Sequence, residues 1–338
     1  MNKDTVMCIT DHGHDPYWNL AAEEYLLKRL PNPVFRLWRN SESVIIGKNQ
    51  NALAEIDRDW ITSHGIPVVR RLTGGGAVFH DMGNLNFSFI RKREAGEDTH
   101  AMFARYTMPV ISTLRGLGID ARLEGRNDLT IGDRKFSGNA IAIYRDRVLC
   151  HGCILFEASL DKLSGALNSR PEKFIGKAVS SNRSRVTNIS EHLKEPVDIE
   201  NFIGLLKENA ITGELASYGS GIETYEYTEA DIAAIDSLAD EKYRLDSWNY
   251  GKSPKYSISR VRKFPAGLVE IYADIKEGLV SDIKIMGDYF FEAPTEELET
   301  ALLGCPYDSE AVQTALVRAG LSKYIAGVTP QDIVEMMF

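Results

Sequence analysis

No run in this 338-residue sequence approaches the ~20 consecutive apolar residues of a membrane span, and the N-terminus MNKDTVMCITDHGHD lacks the apolar core and cleavage-type site of a secretory leader. Internal repeats, low-complexity tracts, a Walker A sequence and a Rossmann fingerprint are also missing. Cysteine is scarce: Cys8, Cys150, Cys153 and Cys305 are too few for the framework of a disulfide-stapled secreted domain. Together these absences predict a cytoplasmic protein with no membrane association. Basic charge is short as well, 39 Lys and Arg against 48 Asp and Glu for a net of −9, which excludes general nucleic-acid binding. An anionic ligand must then be held by a local cluster of cations. Nothing demands a partner subunit, so a monomer is expected.

Hydrophobic residues make up 43% of the chain, enough for a large core, and the length suggests about two domains. Asp15-Pro16 reads as the cap and first turn of a helix through YWNLAAEEYLLKRL, stopped by Pro31. THAMFARYTMPVISTLRGLG reads as a second helix that Pro109 kinks. Between 121 and 158, ARLEGRNDLTI, FSGNAIAIYRD and RVLCHGCILFEA read as successive antiparallel strands, turned at Gly132-Asp133 and Arg145-Asp146. Cys150 and Cys153 fall within one strand, where residues three apart face opposite sides and cannot clasp one metal or close a disulfide. Residues 170 to 195 are polar, a candidate lid whose Lys173, Lys177, Arg183 and Arg185 suit phosphates or an acidic surface. SWNYGKSPKY reads as a linker that few contacts need cross, separating a catalytic domain, 1–245, from an accessory domain, 251–338, of three strands and two or three helices.

The chain is organised around RRLTGGGAVFHDMGNLNFSFI, Arg70 to Ile90. Two strand-like runs are joined by Gly74, Gly75 and Gly76, a turn in which backbone approaches a ligand closely and N–H groups point at an anion. Arg70 or Arg71 supplies a fixed cation beside it. The second marked stretch is GDRKFSGNA, where Lys135 ends a turn and is followed by Ser137 and Gly138. Asn127 and Asp128 of GRND, one strand earlier, bring an amide and a carboxylate towards it, as a metal-bound phosphate needs. A cation, an amide cradle and an Asp/Asn pair suit attack of a carboxylate on the α-phosphate of ATP, giving an acyl-adenylate.

RRLTGGGAVFHDMGN (70–84), KFSGNA (135–140) and HGCILF (151–156), in that order, resemble the lipoate-protein ligase A family. LWRNSESVIIGKNQN upstream and KFPAGLVEIYADIKEGLVSDIKIMGDYF downstream are similar to it too, so the resemblance covers nearly the whole chain. It implies an α+β protein: a biotin/lipoate ligase-type catalytic domain of mainly antiparallel sheets with helices, plus a small α+β C-terminal accessory domain. It also implies a reaction in which lipoate and ATP-Mg²⁺ give lipoyl-AMP, and an acceptor lysine then takes the lipoyl group. The acceptors would be lipoyl domains of 2-oxoacid dehydrogenase E2 subunits and the glycine-cleavage H protein. On this resemblance Lys135 is the catalytic lysine, and Arg70, Gly75, Gly76, Val78, Phe79 and Asn84 line the lipoyl and adenylate pocket. Ser137, Gly138, Ala140 and His151 also fall in its lipoyl-AMP motifs, and Asn127 and Asp128 at the phosphate or its metal. His80 and His151 lie in matching motifs, although a strand histidine more often packs or hydrogen-bonds than catalyses.

Two other readings stay open. A cysteine-dependent octanoyl or lipoyl transferase of the same superfamily would use Cys150 or Cys153, but such enzymes resemble only the catalytic domain. A non-catalytic lipoate-binding protein would not require Lys135 together with GRND.

Overall fold

The computed structural model describes residues 5–94, 96–167, 186–213, 215, 221–250 and 258–338. The proposed lid cations Lys173, Lys177, Arg183 and Arg185 lie outside these. The strands are β1 (Thr5–Thr10), β2 (Val34–Trp38), β3 (Ser43–Ile46), β4 (Val68–Arg70), β5 (Val78–His80), β6 (Asn84–Lys92), β7 (Ala121–Glu124), β8 (Asp128–Ile131), β9 (Arg134–Tyr144), β10 (Arg147–Leu155), β11 (Gly221–Thr224), β12 (Ile258–Phe264), β13 (Gly267–Lys276) and β14 (Leu279–Gly287). The α-helices are α1 (Pro16–Lys28), α2 (Ala52–Glu55), α3 (Arg58–His64), α4 (Thr99–Gly116), α5 (Leu160–Ala166), α6 (Ile199–Thr212), α7 (Glu229–Leu238), α8 (Asp246–Asn249), α9 (Thr295–Leu302), α10 (Ser309–Ala319) and α11 (Pro330–Met337).

Eight strands form one sheet in the order β11-β1-β2-β6-β10-β9-β8-β7. Only the β11-β1 and β1-β2 pairs are parallel; the rest is antiparallel. Strand alternation gives the sheet two faces of different character. Phe35, Leu37, Phe87, Phe89, Ile141 and Cys150 point to one side, where α4 and α6 add Phe103, Tyr106, Phe202 and Leu206 to a single apolar core. The other side carries Trp38, Asn86, Cys153 and Gly138 in one cross-strand row, with Ser88, His151 and Ala140 in the next. That polar-tinged face is roofed by α1 and by the three-stranded sheet β4-β3-β5.

Local chemistry explains the elements. Asp15 accepts from the Tyr17 amide at 2.9 Å and Pro16 opens α1, as the sequence predicted. α4 runs as expected through Pro109 to Gly116, with the Thr113 hydroxyl donating to the Pro109 carbonyl at 2.8 Å. ARLEGRNDLTI is not one strand: Gly125, at φ 61°, turns the chain between β7 and β8, so Arg126 and Asn127 sit on a turn. The runs flanking the glycines do not pair with each other either. β4 and β5 both pair with β3, the first parallel and the second antiparallel, so the glycine loop crosses the end of β3.

The C-terminal strands β12, β13 and β14 carry α9, α10 and α11 over a second core that includes Ile271, Ile285, Leu298, Leu316 and Ile333. This unit is more closely tied to the rest than the linker reading expected. Phe290 lies in the core of the large sheet, 5.8 Å from the Phe103 ring, and the Gly287 amide donates to Asn49 O at 2.8 Å. Arg126 donates to Ala266 O at 2.7 Å and stacks 4.0 Å from the Phe290 ring. SWN of the expected linker is α8, bonded to β4 through Trp248 and Asn249.

Candidate active site

A cavity of about 140 Å³ opens between the polar-tinged face and its roof. Gly138, Ala140 and Cys153 floor it, Leu20 of α1 walls it, and Gly75, Gly76 and Val78 cover it. Lys135 and Asn127 stand at one end; Trp38, His80 and Asn86 also line it. Small floor residues follow from the register, because a side chain at Gly138 would strike Lys135, whose Nζ lies 2.9 Å from a Cβ built there. Gly138 therefore lets the lysine fold back along its own strand. Nζ pairs with Asp128 Oδ1 at 2.7 Å, both side chains about 40% exposed and so free to exchange partners with a ligand.

The glycine loop is held from two directions. Arg71, buried and lowered to about 10 chiefly by burial, donates from Nη2 to Gly74 O at 2.7 Å and Gly76 O at 2.9 Å, and from Nη1 to Ile45 O at 3.1 Å. From the other side the Tyr289 carbonyl of the C-terminal unit sits on Gly74, where any Cβ would overlap it. With the Gly74 and Gly76 carbonyls turned to Arg71, the amides of Gly74, Gly75 and Gly76 donate to no acceptor among the described residues. A cradle for an anion results.

Behind the loop runs a buried chain of polar groups. Arg71 Nε donates to Thr73 Oγ1 at 3.0 Å, Thr73 Oγ1 meets His151 Nε2 at 2.8 Å, and His151 Nδ1 meets Glu23 at 2.9 Å. One donor direction runs through it when His151 carries its proton on Nδ1. Burial alone would raise the Glu23 carboxyl; His151, Ser88 and Arg36 outweigh it and hold the group below the usual carboxylate range.

Of the residues singled out from the sequence, Gly75, Gly76, Val78, Asn127, Lys135, Gly138, Ala140 and His151 line the cavity, and Asp128 touches Lys135. Four do not. Arg70 is fully buried on the far side of β4, its guanidinium bonded to the carbonyls of Gly47, Lys48, Gln50, Trp248 and Asn249, so Arg71 is the arginine at the cavity. Phe79 alternates away from Val78 and His80 into the core around Trp60. Ser137 shares its register with Leu129 and Ile154 on the helix-covered face. Asn84 accepts from the Asp81 amide at 3.1 Å and closes a turn, whereas Asn86, two residues on, reaches the cavity.

Glu23 and Asn86 were missed, and of the two arginines offered as the fixed cation it is Arg71 that lines the cavity. Glu23 had a signal, an acid amid the apolar positions of YWNLAAEEYLL. Cys150 is buried in the opposite face and its thiol is pushed up by burial and by Glu23, while Cys153 lines the cavity; the two face apart and all four cysteines are free.

Residues 15–210 match the family described as the lipoyl protein ligase A/B catalytic domain, and residues 253–337 the bacterial lipoate protein ligase C-terminus. Lipoate--protein ligase 1 of Staphylococcus aureus is 41% identical over 96% of this chain and 97% of its own length. Lipoate-protein ligase LplJ of Bacillus subtilis is 38% identical over 96% and 97%. Among solved structures, P. falciparum LipL1 in complex with lipoate superimposes with a TM-score of 0.76 at 26% identity, covering 93% of this chain and 94% of that one. Lipoate-protein ligase A bound with ATP gives 0.62 at 31% identity, over 73% of this chain and 98% of that one. The chain belongs to the lipoate-protein ligase family.

Proposed function

We propose that this chain joins lipoate to ATP as lipoyl-AMP and passes the lipoyl group to a lysine of a lipoyl domain of a 2-oxoacid dehydrogenase E2 subunit or of the glycine-cleavage H protein. The observation that carries this reading is a lysine at the mouth of a largely apolar cavity, facing a glycine loop with uncommitted amides. The acyl chain lies over Gly138, Ala140 and Cys153, which places its carboxylate at Lys135. Lys135 leaves Asp128 for the carboxylate and α-phosphate oxygens, where its charge stabilises the transition state more than the ground state. The loop amides take the adenylate, and Arg71 keeps them aimed.

No group of three or more His, Cys, Asp or Glu able to hold a metal occurs among the described residues. The one carboxylate of Asp128, with Asn127 beside it, fits Mg²⁺ carried in on nucleotide phosphates rather than a resident ion. Bound so, Mg²⁺ neutralises phosphate charge. No described helix is long and apolar enough to cross a membrane. We place the protein in the cytoplasm as a monomer, with a catalytic unit extending through α8 and an accessory unit beyond it. Lys135→Ala tests the assignment: lipoate-dependent exchange of pyrophosphate into ATP falls by about 10²- to 10³-fold, and near-normal exchange by the folded variant removes Lys135 from the chemistry.

A further inference from the structure

Asp128 and Lys135 meet across a defect in the sheet. In the β8-β9 ladder Thr130 faces Lys135 but Leu129 faces Ser137, so Phe136 is an extra residue between Lys135 and the register that carries Asp128 opposite Gly138. One pair further, where β8 gives way to the turn at Gly125, Asn127 and Asn139 clasp each other. The Asn139 amide and its side-chain Nδ2 both donate to Asn127 O, at 3.0 and 2.9 Å, and Asn127 Nδ2 donates to Asn139 O at 2.6 Å. A carbonyl only accepts, so the last bond fixes the sense of the Asn127 amide and leaves Oδ1 as its atom for a ligand. The side chain of Asn139 is out of keeping with its surroundings. Register with Gly152 and Phe87 places it on the helix-covered apolar face, opposite the cavity, which Asn139 borders by its backbone. It is 3% exposed there, and its Oδ1 has no hydrogen-bond partner among the described residues. Gly152 makes room for it, since a Cβ at 152 would overlap Asn139 Oδ1 and come within 2.7 Å of the Phe87 ring. A buried amide with one end unpaired is a cost to the fold. Asn127 O keeps the Asn139 backbone amide whatever the side chain, so the fold does not depend on Nδ2.

We propose that Asn139 is a positioning residue for the activation step: from the face opposite the cavity, its side chain pins the turn at Asn127 and Asp128 to β9 and so sets the Asp128 carboxylate and the Asn127 amide against Lys135. This rests on Lys135 activating lipoate as proposed above. The bulge leaves the ladder unable to fix that geometry alone, and two donors converging on one carbonyl, with a bond returned, hold the turn in one place. Without Nδ2 the turn keeps two bonds and Asp128 drifts relative to Nζ, and a small displacement of a positioned group costs rate. Lipoate binding is spared, because the acyl chain lies on the other face of the sheet.

The test compares the native full chain with Asn139→Ala, Asp128→Ala and the double variant by lipoate-dependent pyrophosphate exchange, lipoate calorimetry and urea unfolding. Asn139→Ala is expected to lower kcat for exchange about tenfold, with the lipoate Kd and the urea midpoint close to native, and to cost nothing further once Asp128 is alanine. Native exchange by Asn139→Ala overturns the proposal. So does a variant that fails to fold or has a markedly lower midpoint, which makes Asn139 a structural residue, and so does a weakened lipoate Kd, which makes it a ligand contact. Independent effects in the double variant overturn it too, because Asn139 would then not act through Asp128. Absence of lipoate-dependent exchange in the native chain would instead overturn the activation reading, and the role of Asn139 with it.

Discussion

Gly74→Ala tests how the C-terminal unit shapes the glycine loop. The Gly74 backbone does not lie in the left-handed region, so alanine brings no torsional strain, and its effect comes from contact alone. The new Cβ would come closer than 3.0 Å to the Tyr289 carbonyl oxygen and within 3.4 Å of Phe290 Cδ1. Reaching an ordinary contact requires a shift on the order of 1 Å between loop and carbonyl. Phe290 is wedged against Phe103 and Arg126, so the loop yields rather than the segment opposite. Overpacking of this kind costs about 1–3 kcal/mol of stability, and a 1 Å misplacement of positioning groups costs about 10²-fold in rate. Urea unfolding and lipoate-dependent pyrophosphate exchange read the two effects. Gly76→Ala, whose Cβ meets nothing within 4 Å, is the stability control and should unfold with the native midpoint. A Gly74→Ala protein with native midpoint and native exchange would refute the claim that the C-terminal unit sets the loop.

Cys150→Ala and Cys153→Ala should each retain ATP-dependent ligation, because the two thiols face opposite sides of β10 and a ligase needs no thioester; a trapped acyl-cysteine in mass spectrometry would reverse that. Asp231 accepts hydrogen bonds from Tyr25, Tyr225 and Thr228, which outweigh burial and hold it down at about 2. A carboxyl depressed on folding stabilises the protein above its unfolded pKa and loses that contribution as pH falls through the folded value. Asp231→Asn should therefore flatten stability between about pH 4 and pH 2 relative to the native chain, measured as urea midpoints; parallel profiles would contradict the assignment.

Much of the site was legible because its markers are local. A lysine after a glycine-aspartate turn, a triple glycine and a capped helix each impose a backbone geometry, and Lys135, Gly75, Gly76 and α1 are where those rules put them. Facing direction within a strand was harder. Arg70 and Arg71 are adjacent in sequence, and only the pairing of β4 with β3 and the docking of α8 decide that Arg70 braces five carbonyls while Arg71 reaches the cavity. The same alternation separates Val78 from Phe79 and Gly138 from Ser137. Glu23 was hidden for another reason: its partner His151 is 128 residues away, and an acid on a buried helix face is explained only once that partner is in place. The docking of Phe290 into the core of the large sheet was equally non-local, since SWNYGKSPKY looks like a linker whatever lies beyond it.

The central claim is that lipoate is activated by ATP in the cavity between Lys135 and the glycine loop. Its most direct measurement is incorporation of labelled pyrophosphate into ATP with lipoate and Mg²⁺ present and no acceptor protein. The account predicts exchange that depends on lipoate and collapses in Lys135→Ala. Exchange independent of lipoate, or acyl transfer to a lipoyl domain without ATP, would contradict it.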